Sequence, residues 1–139
     1  MKILISHGWG AGWGSYEGIK YAIDKNLINF VEKNKDWQQI ARRLENILSD
    51  YQQEEKYEFN IPLLYQDLKC FLKNNFYDKE FELLEIFENI DKNKIPYISA
   101  FCECEIYKIT KDSYYRINEE EGAENLEILD LSKWYKAID

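Results

Sequence analysis

The chain has 139 residues, of which 45% are hydrophobic, 16% aromatic and only two proline, so it is long enough to bury one ordinary core and unlike a disordered composition. Its net charge of −8 argues against the basic face that nucleic-acid binders present. Residues 1–77 carry ten acids and ten bases, residues 78–139 sixteen and eight, so the back half would repel phosphate backbones and attract a basic protein surface.

Lys2–Ser6 reads as a short buried strand, and positions 7–18 hold five of the six glycines and form a loop. Asp24 is expected to cap a helix bearing Leu27, Ile28 and Val31, which frays at Lys33-Asn34-Lys35. Asp36 then caps the clearest helical stripe, Trp37, Ile40, Ala41, Leu44, Ile47, Leu48 and Tyr51, spaced so that every member falls on one face. Pro62 suits the first turn of a further helix with Leu64, Leu68, Phe71 and Leu72 inward. Asp78 is expected to cap the last one, with Phe81, Leu84, Ile86 and Phe87 apolar and Glu82, Glu85 and Glu88 outward.

Pro96 ends the helical region. From Tyr97 to Ile109 the period changes to two, placing Ile98, Ala100, Cys102, Cys104 and Ile106 on one strand face. Lys111-Asp112-Ser113 reads as a turn, and Tyr114–Ile117 and Leu126–Leu129 as two more strands joined by a hairpin at 118–122. The fold class expected is α+β: an N-terminal strand, a helical middle of three to four helices, and a C-terminal antiparallel β-meander. With no linker, repeat or low-complexity stretch, residues 1–139 read as a single domain. The first apolar run is far shorter than a signal-peptide core or a membrane span. Three cysteines suit free thiols in a reducing compartment, so a cytoplasmic protein without a membrane partner is expected.

Chemistry-bearing patterns are few. His7-Gly8-Trp9-Gly10 after a strand looks like an oxyanion loop, but G-x-S-x-G is lacking and His7 is the one histidine. Gly10-Ala11-Gly12-Trp13-Gly14-Ser15 lacks the third glycine of the dinucleotide fingerprint, and no P-loop spacing occurs. Cys102-x-Cys104 lies in an apolar strand pattern, and a structural zinc would want four Cys or His ligands. No catalytic residue, metal or cofactor is therefore assigned, and the chain reads as a binder and not an enzyme. Two surfaces are candidates for a partner: the acids Glu119, Glu120, Glu121 and Glu124 at the hairpin with Glu82, Glu85 and Glu88 on the helix, and the aromatics Trp9, Trp13 and Tyr16 of the glycine loop. Acids steer association with a basic surface, and aromatics anchor interfaces.

The stretch from Ile3 to Trp13 (ILISHGWGAGW), taken with Tyr115 to Glu124 (YRINEEEGAE), resembles the two ends of a family of short phage and prophage proteins. Those begin with a strand and a GxGAGW loop and finish with an RIxEYDGxE hairpin. Here Glu120-Glu121 stand where the family has Tyr-Asp, and the helical middle, 36–95, is longer than the family's core. The resemblance implies a prophage-type inhibitor of host defence, anti-CRISPR-like, that binds a basic, nucleic-acid-handling surface of an effector nuclease without touching nucleic acid itself. Two alternatives stand beside it: sequestration of a nucleotide second messenger near the glycine loop, and an enzyme of another type that modifies a defence protein.

Overall fold

The computed structural model describes residues 1–8, 13, 18–121, 123–128 and 135–138. It is α+β, in the order β1 (Lys2–Ser6), α1 (Ile19–Ala22), α2 (Lys25–Lys33), α3 (Trp37–Gln52), a 3-10 turn (Glu55–Tyr57), α4 (Ile61–Asn74), α5 (Asp78–Ile90), α6 (Ile98–Cys102), β2 (Cys104–Lys108), β3 (Tyr114–Glu120), β4 (Ala123–Ile128) and β5 (Tyr135–Lys136). The chain divides into two compact units, residues 29–98 and residues 1–28 with 99–139.

The expected helices α2 to α5 are present, but Asp36 makes no side-chain cap bond to α3, and Asp78 is the first residue of α5 with Tyr77 at its N-cap. The helix of α2 starts where Asp24 Oδ1 accepts from Leu27 N at 2.8 Å, a side chain satisfying one of the amides that a first turn leaves open. Ile40, Ala41, Leu44 and Leu48 of α3 are buried, as the stripe requires. Asn60 caps α4 by accepting from Leu63 N at 3.2 Å, and Pro62 stands in the first turn, where its missing N–H costs nothing. Leu64, Leu68 and Leu72 are buried as expected, joined by Tyr65, whose hydroxyl donates to Lys94 O at 2.8 Å.

The face of α5 differs from the expected one. Leu83, Leu84, Phe87 and Glu80 are buried, while Phe81 and Ile86 are only half-buried. A carboxylate occupies a position the pattern assigned to no core, because Arg43 Nη1 meets Glu80 Oε2 at 3.2 Å and offsets part of the desolvation cost.

In the other unit, β1 pairs antiparallel with β2 from Lys2↔Lys108 to Ser6↔Cys104. The remaining strands form a separate antiparallel sheet in the order β4-β3-β5. The C-terminal strands are thus antiparallel as expected, but β2 leaves the meander to pair with the N-terminus. The terminal ammonium donates to Ile109 O at 3.0 Å, and Ile109 N returns a bond to Met1 O at 2.7 Å. The turn at 110–113 is closed by Ser113 N donating to Thr110 O at 3.1 Å, with Asp112 at φ 68°, a conformation aspartate tolerates better than most residues.

The strand expected over 97–109 is corrected by α6. Ile98, Ala100, Phe101 and Cys102 are all buried while Ser99 and Glu103 are exposed, so burial breaks the alternation at Phe101, as a short helix does, and the strand begins only at Cys104. The carbonyl of Ala100 near the helix end accepts from Glu103 N at 3.2 Å, Ser6 Oγ at 2.8 Å and Cys104 Sγ at 3.4 Å, which lets the short helix end inside the core. Cys102 therefore closes a helix and Cys104 opens a strand.

Candidate functional site

The feature that organises the glycine loop is a buried carboxylate. Glu124 is 1% exposed. Its Oε1 accepts from Ser6 N at 2.9 Å and its Oε2 accepts from Trp13 N at 2.9 Å. One side chain on β4 thus fixes the end of β1 and a point within the loop, and charge-assisted bonds of this kind are roughly twice as strong as neutral ones. The expectation that Glu124 belongs to an exposed acidic surface is corrected: its charge is spent on two backbone amides. Strand alternation puts Glu124 on the face of Leu126 and, across the strands, of Ile117 and Glu119. Glu119 on that face is exposed, so it is the two amides of Ser6 and Trp13 that single out Glu124.

Trp13 is likewise not available to a partner or to a stacked base. It is 3% exposed, with ring centroids 5.4 Å from Tyr21 and 5.4 Å from Phe101. The ring is core, and Gly18 packs close to the Trp13 backbone: a methyl group on Gly18 would come within 2.0 Å of the Trp13 carbonyl oxygen. Gly18 has φ −76°, so the glycine is needed for close approach and not for an unusual backbone. Trp9 and Tyr16, the other aromatics assigned to this loop, lie outside the described residues.

The acids at the hairpin tip are placed differently. Glu119, Glu120 and Glu121 are all exposed, the first two ending β3 and the third standing at φ 53° in the two-residue connection to Ala123. Further along the hairpin, Arg116 Nη2 lies 3.5 Å from Glu127 Oε2 across the strands. The tip is held in place because its second strand carries Glu124.

On α5 the acidic stripe is largely answered by lysines. Glu82 lies 2.9 Å from Lys33 Nζ and 3.5 Å from Lys79 Nζ, and the Lys33 bond above all holds its carboxyl below the usual range. Glu88 lies 2.7 Å from Lys69 Nζ. Glu85 is exposed. The stripe expected as a negative surface is therefore a set of ion pairs with one exposed acid, and it belongs to the helical unit, whereas the hairpin belongs to the other.

A cluster that the sequence reading passed over surrounds the sole histidine. His7 Nε2 lies 2.7 Å from the Tyr107 hydroxyl and 3.8 Å from Glu105 Oε2, because β2 presents Glu105 and Tyr107 beside the end of β1. Partial burial, with Glu105 close by, pushes the Tyr107 phenol up. Cys104 is far from any thiolate, since burial drives its pKa strongly up and the nearby Glu124 adds to this. Among the described residues no group of three or more His, Cys, Asp or Glu side chains could hold a metal ion. Among the same residues no helix is long and apolar enough to cross a membrane.

The arrangement offers an exposed acidic tip on a braced hairpin and buried groups tied up in folding. Compared with known proteins, the chain matches no family model, no curated protein and no solved structure.

Proposed function

We propose that this chain is a small acidic binding protein of the host-defence-inhibitor type, which presses the tip of its β3–β4 hairpin into a basic, nucleic-acid-handling surface of an effector nuclease. The observation that supports this reading is the exposure of Glu119, Glu120 and Glu121 together on a hairpin fixed by the buried Glu124. Three adjacent acids on a rigid support lose little conformational freedom on binding, and their charge speeds encounter with a cationic groove. The sequence bias of sixteen acids against eight bases over 78–139 supports the same sign of partner.

The test is charge reversal. The chain, and its variant with Glu119→Lys, Glu120→Lys and Glu121→Lys, are each immobilised and exposed to extract from a defence-carrying bacterial host, and the captured proteins are identified by mass spectrometry. Association rates with the purified partner are then measured at low and high salt. The reading expects an RNA-guided nuclease or similar effector, inhibited at 1:1, with association slowed roughly tenfold or more by the reversal and less so at high salt. An unchanged association rate and unchanged inhibition at low salt would sink it.

A further inference from the structure

The helical unit carries a second surface, independent of the acidic hairpin. Four aromatic rings follow one another across it: Tyr57 lies 6.2 Å from Tyr51, Tyr51 meets Phe71 edge-on at 5.8 Å, and Phe71 stacks on Tyr77 at 6.3 Å. Tyr57 is buried, but Tyr51, Phe71 and Tyr77 are half-buried, so three of the four rings belong to residues partly open to solvent. Near its ends in sequence stand Phe59, two residues after Tyr57 and 94% exposed, and Phe76, adjacent to Tyr77 and 84% exposed.

A lone exposed phenylalanine needs no explanation. Phe76 does, because it stands at φ 62°. It occupies the position after α4 where Phe76 N donates to Lys73 O at 3.3 Å and Tyr77 N donates to Leu72 O at 2.9 Å. Glycine takes that left-handed position without steric penalty. A phenylalanine there strains the backbone and leaves its ring in water, two costs that folding does not require. Strain retained at an exposed aromatic points to binding.

The charge around the row says what would bind. Glu54, Glu55 and Glu58 are exposed beside Tyr57, and Asp67 is half-buried, with Asp67 Oδ2 accepting from the Tyr57 hydroxyl at 2.6 Å. The Tyr51 phenol is pushed up by burial first and then by Asp67 and Glu54, with Lys56 opposing. The row already holds one cation in this way. Lys56 Nζ sits 5.1 Å above the Tyr57 ring, with Glu54 Oε2 3.3 Å away. Aromatic faces backed by carboxylates favour cationic side chains, and the planar guanidinium of arginine stacks on rings as well as pairing with acids. We propose that the row Tyr51–Phe71–Tyr77, with Phe59 and Phe76 as its exposed anchors, docks an arginine-bearing segment of a partner protein, whose guanidinium groups lie over the rings and against Glu54, Glu55, Glu58 and Asp67.

Cys70 reports on this surface in the intact chain. It is the exposed one of three cysteines, and on α4 it lies three residues after Asp67 and one before Phe71. The rate of its reaction with a thiol reagent is measured while an arginine nonapeptide is titrated in, with a glutamate nonapeptide in parallel. The arginine peptide should slow labelling several-fold at saturation, and the glutamate peptide should not. The double variant Phe59→Ser with Phe76→Gly, which removes no buried side chain, should require roughly tenfold more peptide for the same protection, with its circular dichroism unchanged. Equal protection by the two peptides, no protection by the arginine peptide, or full protection in the double variant would each overturn the proposal. So would Cys70 protection that rises with protein concentration alone and tracks dimer formation by sedimentation, since the occupant would then be a second copy of this chain.

Discussion

Removing the Glu124 carboxylate isolates the brace between the hairpin and the glycine loop. Each of its two bonds, to Ser6 N and Trp13 N at 2.9 Å, joins a charged acceptor to a backbone amide, an interaction worth about 1.5–3 kcal/mol. Glu124→Ala takes the acceptor from both amides in a site that is 1% exposed, and should cost about 3–5 kcal/mol. Glu124→Gln keeps one oxygen for one amide and turns its NH2 toward the other, for a loss of about 2 kcal/mol. Urea titration at 25 °C, followed by circular dichroism and tryptophan fluorescence, reads the stability. For a chain of this size the Ala variant should lower the melting temperature by about 10 °C. Amide exchange should accelerate at Ser6 and Trp13 ahead of the rest of the unit, because the brace is local. Glu120→Ala at the exposed tip is the control and should stay within about 0.5 kcal/mol of the parent. If Glu124→Ala did the same, with Ser6 and Trp13 protected as before, the carboxylate would not be holding the loop and the reasoning would fail.

Other perturbations address separate parts of the structure. Gly18→Ala places a methyl within 2.0 Å of the Trp13 carbonyl oxygen, a backbone atom that cannot swing away, and should destabilise by about 1–3 kcal/mol, read by thermal melting. Arg43→Met leaves Glu80, 3% exposed, without the guanidinium 3.2 Å away. Since Arg43 is half exposed and its charge partly screened, a loss of about 1–3 kcal/mol is expected from urea midpoints. The Tyr57 phenol is pushed up, first by its bond to Asp67 and then by burial, so the folded state favours the protonated form. Its contribution is complete below the ordinary tyrosine pKa of 10.0 and is lost as pH rises through the higher folded value. Stability should therefore fall between about pH 10 and 12, and Tyr57→Phe should show a shallower fall in urea midpoint over that range.

The amphipathic helices were legible because their evidence is local. The stripe from Trp37 to Tyr51 of α3, Asp24 at the cap of α2 and Pro62 in the first turn of α4 all speak through residues three or four apart, and the structure keeps those helices. Where the signal was short it misled. Ile98, Ala100 and Cys102 alternate, yet Phe101 between them is buried too, and periodicity does not separate a helix from a strand in so short an apolar run.

By itself, the sequence determined the α+β class, the positions of the four longer helices α2 to α5 and the concentration of negative charge in the back half, since composition and near-neighbour periodicity act along the chain. Only the tertiary structure decided what individual acids do. Glu124 lies 118 positions from Ser6 and Glu80 lies 37 from Arg43, and nothing in a run of glutamates distinguishes the one that will be buried. The same holds for the rings: Tyr51, Phe71 and Tyr77 become a row because α3, α4 and the start of α5 pack side by side, and Trp13 becomes core because β4 and α6 close over it. Burial, which sets whether a charge or a ring is spent on folding or left for a partner, is fixed by contacts between segments remote in sequence.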